Sequence, residues 1–118
     1  MYYVEVLGKA YTLYLVPEDD VNMKNCDGYC DTSDKSIAIA DLKPGKGVKK
    51  NLLDYKKEVL RHEIIHAFLY ESGLGSESWG ANEAIVDWIA LQFHKIERSI
   101  NRAERNLAET IGEKESTE

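Results

Sequence analysis

Apolar and polar residues alternate loosely from Tyr2 to Val16, where Val4, Val6, Tyr11, Leu13 and Leu15 are interrupted by Gly8 and Lys9. A period of two marks a half-buried strand, and the interruption predicts a strand or a hairpin. Pro17, Glu18, Asp19 and Asp20 then read as a turn. A second hairpin is predicted between Cys26 and Ala40. Asp27, Gly28 and Tyr29 lead into it, a polar turn covers Asp31 to Lys35, and Ser36 to Ala40 closes it as a short alternating strand.

The period changes downstream. From Leu52 to Glu71 there is no Gly or Pro, and Leu53, Leu60, Ile64, Ala67 and Phe68 recur at helical spacing. Ser72, Gly73, Leu74 and Gly75 supply a stop, with Gly suited to a left-handed cap. A second helix is predicted from about Gly80 through His94. It continues as an exposed, ion-paired stretch that includes Glu97, Arg98, Arg102, Glu104 and Arg105. The polar residues from Gly112 to Glu118 are expected to fray. Strands followed by helices predict an α+β fold in one domain over residues 1–111, with a small twisted antiparallel sheet beneath a central helix.

A chain of 118 residues buries only a modest core, so a bound metal would matter for stability as well as chemistry. The net charge of −6 argues against a general nucleic-acid binder and gives no attraction to an anionic membrane. No run approaches the roughly 20 apolar residues of a membrane span, and the N-terminus lacks the form of a signal peptide, so a cytoplasmic location is expected. Lys43, Lys46, Lys49, Lys50, Lys56 and Lys57 form a basic stretch that reads as a solvated loop and helix start, with a local attraction for an acidic substrate as the alternative. Cys26 and Cys30 are the only cysteines. In a strand their Cα atoms would lie about 13 Å apart, beyond disulfide reach, so two free thiols are expected.

His62, Glu63, Ile64, Ile65 and His66 spell H-E-x-x-H inside the first predicted helix. Histidines at i and i+4 share a face and can hold one tetrahedral metal. Glu63 lies about 100° round the helix from His62, where its carboxylate can take a proton from a metal-activated water. Apolar neighbours on most sides predict a buried helix, in which a metal would satisfy both imidazoles. A third ligand is required. His94 is the only other histidine, and it falls eleven residues beyond Glu83, about 16 Å along the helix. It is expected to be a partly buried polar residue. Glu83 is the better ligand, since it opens the second helix after a Gly-bearing turn and two antiparallel helices would bring it over the imidazoles. Glu77 is a weaker alternative, and Glu71 faces away. Asp87, one turn after Glu83, could accept the outward N–H of a ligand histidine. Ala90 continues that stripe and is small enough for close helix packing. Flanking Ala84, Ile85, Val86, Trp88 and Ile89 predict that this helix too is buried.

The double pattern resembles the two active-site helices of the thermolysin-like gluzincins: H-E-x-x-H followed by Asn82, Glu83 and Asp87 as N-E-x-x-x-D. The resemblance covers about residues 59 to 94. It implies a zincin-like fold, Zn²⁺ on His62, His66 and Glu83, Glu63 as general base, and Asp87 behind a ligand histidine. The chain is too short for the second lobe of the larger enzymes, so it is more similar to small phage-type metallopeptidases. Gluzincins carry an edge strand along the cleft, and Ser36 to Ala40 is placed to be that strand, which an extended polypeptide could pair with. The expected function is zinc-dependent hydrolysis of peptide bonds, within chains rather than at their ends. The alternatives are a zinc-stabilised binding or regulatory protein without turnover, and a phage-type peptidase dedicated to one repressor protein.

Overall fold

Val6 and Lys9 pair across a two-residue turn in which Leu7 and Gly8 both adopt left-handed conformations, with φ of 50° and 85°. That turn matches the twist of flanking strands and joins β1 (Tyr2–Val6) to β2 (Lys9–Pro17) as an antiparallel hairpin. The computed structural model describes residues 2–45, 51–75 and 82–116. A 3-10 turn, Val21–Met23, is capped by the Asp20 side chain and followed by β3 (Gly28–Asp31) and β4 (Ser36–Asp41). Helix α1 is Leu52–Glu71 and helix α2 is Glu83–Ser116. Lys46, Lys49, Lys50, Glu77, Gly80 and Ala81 lie outside the described residues.

The sheet has the order β1-β2-β4-β3 and is mixed, not antiparallel as expected, because β4 runs parallel to β2. This also corrects the position of Ser36 to Ala40. That strand pairs on both sides and every one of its five residues is buried, so it is central. The physical reason is its composition: Ile37 and Ile39 face α1, while Ala38 and Ala40 pack with Met23 on the other face. A strand with apolar side chains on both faces has no solvent side to offer at an edge. The edge strands are β1 and β3.

Helix α1 lies across the sheet through Val59, Leu60, Ile64 and Ala67, against Val6, Tyr11, Ile37 and Ile39. Leu53 and Phe68, expected on that buried face, are exposed. Gly28 allows α1 its closest approach to β3, since a Cβ there would stand 2.6 Å from Val59 Cγ1. At the far end of α1, Glu71 accepts hydrogen bonds from Tyr11 Oη at 2.6 Å and Lys35 Nζ at 2.7 Å. This pins the helix to β2 and to the turn before β4.

Helix α2 packs on α1 through its first turns only. Val86 and Ala90 are buried, and Arg61 Nε donates to the Ala90 carbonyl at 2.9 Å. Trp88 and Ala84 are exposed, contrary to the expectation of a buried helix, because one face alone meets α1. Beyond that contact the helix runs into solvent. Phe93, Ile96, Ile100, Leu107 and Ile111 are exposed along it. The expected ion pairing is not formed: among its described residues this stretch holds only the contact of His94 with Glu97 at 3.7 Å. His94 is exposed rather than partly buried. The backbone stays helical through Gly112 to Ser116. No helix among the described residues is long and apolar enough to cross a membrane.

Candidate functional site

Helical spacing on α1 and the cap of α2 together build the site. His62 and His66 are one turn apart, with Nε2 atoms 3.1 Å from each other. The Asn82 side chain accepts from Ile85 N at 3.1 Å, which starts α2 and puts Glu83 at its first residue. The exposed N–H groups of that first turn favour a carboxylate there. Glu83 reaches across to both imidazoles, with Oε2 2.8 Å from His62 Nε2 and Oε1 3.0 Å from His66 Nε2. On the other side of the ring, His62 Nδ1 is 2.6 Å from Asp87 Oδ1. Arg61, bonded to Ala90 one residue before His62, sets the spacing of the two helices beside these contacts.

Asp87 holds the Nδ1 side of His62: a carboxylate can only accept, so Nδ1 donates to it, and Nε2 is turned toward His66 and Glu83. Lone pairs of an imidazole and a carboxylate at hydrogen-bond distance repel unless a proton or a cation lies between them. His62, His66 and Glu83 accordingly form a group that could hold a metal ion, its ligand atoms all within 4.8 Å of one another. Glu71 is not part of it, being held by Tyr11 and Lys35.

Glu63 is 8% exposed and faces the same cleft. Burial pushes its carboxyl up to about 7; His62 opposes the rise, and the Glu83 and Asp87 carboxylates add to it. A carboxyl that titrates near neutrality can take up a proton and give it back under the same conditions.

The cleft encloses about 1040 Å³ between α1, the start of α2 and the segment from Cys26 to Thr32. Its outer wall is therefore β3, not the strand expected from the resemblance. Cys26 and Cys30 both line it as free thiols. Burial first, then the Glu63 carboxylate, push the Cys30 thiol up to about 11, which leaves it protonated and a poor nucleophile at neutral pH. Tyr55, whose hydroxyl donates to Asp27, and Tyr70 and Glu58 also line the cleft. The sequence reading did not single out these three. They were within its reach, since positions 55, 58, 62, 66 and 70 follow one another at steps of three or four along a single helix face. The chain matches no family model, no curated protein and no solved structure.

Proposed function

We propose that this chain is a zinc-dependent peptidase of the gluzincin kind, with His62, His66 and Glu83 as metal ligands and Glu63 as general base. The observation that carries this reading is the convergence of both Nε2 atoms on the two oxygens of one Glu83 carboxylate, with Asp87 behind His62. Ligand atoms bound to a tetrahedral zinc stand about 3.3 Å apart. The two Nε2 atoms stand 3.1 Å apart, each meets one oxygen of the Glu83 carboxylate, at 2.8 and 3.0 Å, and one ligand atom from each of the three residues falls within 4.8 Å of the others. Two imidazoles and a carboxylate are also a ligand set that catalytic zinc takes, leaving a fourth position open.

When bound, zinc supplies Lewis-acid polarisation of the scissile carbonyl and acidifies the attacking water. Glu63 takes the proton that water loses as its oxygen bonds to the carbonyl carbon. It returns that proton to the amine nitrogen as the C–N bond breaks. Asp87 keeps the His62 proton on Nδ1, so that Nε2 faces the metal. The substrate is an extended polypeptide, laid along the outer edge of β3 and cut within the chain. The packing of α1 on a small sheet, with a second helix bringing in the carboxylate, supports a zincin-like fold.

Metal analysis of purified protein tests the reading. About one zinc per chain is expected, with loss on His66→Ala. Glu63→Gln should keep the metal and lose hydrolysis of unfolded protein substrates. Protein that takes up no metal at any zinc concentration ends the proposal.

A zinc that only staples α2 to α1 is the second reading. It is favoured by the thin apolar contact of α2, in which Val86 and Ala90 are the buried residues among those described. In that case a chelator would lower the melting temperature, and wild-type protein would cleave nothing across a broad substrate scan.

A further inference from the structure

Beyond its contact with α1 at Ala90, α2 continues to Ser116, and its apolar residues there follow a fixed spacing. Phe93, Ile96, Ile100, Ala103 and Leu107 recur at steps of three and four, the a and d positions of a heptad, and Ile111 carries the line one turn further. At 3.6 residues per turn all six fall within about 80° of the helix surface. All six are exposed, the large ones from 38% at Ile96 to 60% at Leu107. The opposite face carries Lys95, Arg98, Arg102 and Arg105. A helix in water draws most of its stability from burying such an apolar face, and no described residue covers this one.

We propose that the line from Phe93 to Ile111 is a dimer interface, which pairs α2 with α2 of a second copy of this chain as a parallel two-stranded coiled coil. Three features select that occupant. The first is area. At roughly 200 Å² per large side chain, the five large residues leave about 470 Å² of apolar surface in water. Two such faces, with the polar side chains that border them, bury about the 1,200 Å² at which specific interfaces begin. The second is the border. Gln92, Ser99 and Asn106 flank the line on one side, Glu97 and Glu104 on the other. In a parallel pair Gln92 meets Glu97 of the second copy and Ser99 meets its Glu104, so an amide and a hydroxyl donor face carboxylates. In an antiparallel pair Glu97 would stand against Glu104 twice. The third is room for the body. Glu83, Asp87 and Ala90, which face α1, lie about 80° to 140° round the helix from Ile100. The two bodies of a parallel pair therefore fall on opposite sides of the coil, and both clefts stay open. Pairing needs no metal and stands apart from the peptidase reading.

Analytical ultracentrifugation of the full chain, with zinc and with chelator, tests the proposal. A species of twice the chain mass is expected in both, dissociating on dilution, with a helical circular-dichroism signal that falls as it dissociates. Ile100→Asp and Leu107→Asp should each give monomer, while Arg98→Ala and Arg102→Ala on the opposite face should stay dimeric. A cooperative thermal melt of the Asp variants shows that the body still folds, and Leu107→Asp, further from the body, keeps the test if Ile100→Asp does not. Direction is read by a thiol: Ile96→Cys with Cys26→Ser and Cys30→Ser should form a disulfide-linked dimer on mild oxidation, since only in a parallel pair do the two copies of one position meet. A monomer at every concentration would overturn the proposal, and binding of that monomer to phosphatidylserine vesicles would give the apolar line to a membrane surface instead. A dimer that survives both Asp substitutions would overturn it by placing the interface elsewhere. A dimer that the Asp substitutions break but that never cross-links through Ile96→Cys would overturn the parallel arrangement.

Discussion

His62 Nδ1 lies 2.6 Å from Asp87 Oδ1, so the two helices of the site are joined by a contact on the far side of the imidazole from Glu83. If that contact fixes the ring for a metal, Asp87→Ala should weaken zinc affinity by about 10- to 100-fold. Competition with a chelator of known affinity measures it. An unchanged affinity in a folded variant would reduce Asp87 to a carboxylate on the helix face.

Substrate length is the second expectation. A cleft whose outer wall is the edge of a four-residue strand, Gly28–Asp31, offers mainly backbone hydrogen bonds. Each of those must offset the freedom the peptide loses, so very short peptides gain too little. In a ladder of peptides around one cleaved bond, kcat/KM should rise with length until the edge is filled. A flat profile from the dipeptide upward would mean that recognition rests in side-chain pockets alone.

Gly28 offers a test of how β3 is held. A Cβ there meets Val59 Cγ1 at 2.6 Å and the Ala38 carbonyl oxygen at 3.2 Å. Val59 is β-branched and stiff, so it cannot swing aside freely. Gly28→Ala should cost about 1–3 kcal/mol, the range for overpacking, and should push β3 away from α1. Thermal melts of Gly28→Ala beside Gly28→Ala/Val59→Ala check the cause, since removing the Val59 methyls should return part of the loss. No rescue would place the strain elsewhere.

Acid stability follows from Glu71. Lys35 first, then the Tyr11 hydroxyl, hold its carboxyl below the ordinary value of 4.5. A carboxyl depressed in the folded state contributes stability that is fully present above its unfolded value and is lost as pH falls through the folded one. Wild-type protein should therefore lose stability below about pH 4.5. Glu71→Gln should be less stable at pH 7 and show a flatter decline on the acid side. Denaturant midpoints measured from pH 7 down to pH 3 would show it, and parallel curves for the two proteins would rule it out.

The anchoring of Glu71 and the β3 wall were not equally legible beforehand. Glu71 could be set apart from the imidazoles by counting along α1, although its partners Tyr11 and Lys35, 60 and 36 residues away, could not be named. The wall was assigned to the wrong strand. Ser36 to Ala40 has the short apolar pattern of a strand, but a pattern of that length does not say whether one or both of its edges are paired.

What the chain determines locally, its sequence determined alone. The span of α1 from Leu52 to Glu71, the common face of His62 and His66, the two hairpins and the start of α2 near Asn82 all follow from neighbours within a few residues. At that range backbone geometry leaves few alternatives. Only the tertiary structure decided that β4 would pair in parallel with β2 and fill the middle of the sheet, which handed the cleft edge to β3. It also decided that α2 would outrun the body that covers its first turns, which left Trp88 and His94 in solvent. Both outcomes depend on contacts between segments far apart in the chain, where the free energy is set by which surfaces can be buried together and not by the preference of any one stretch.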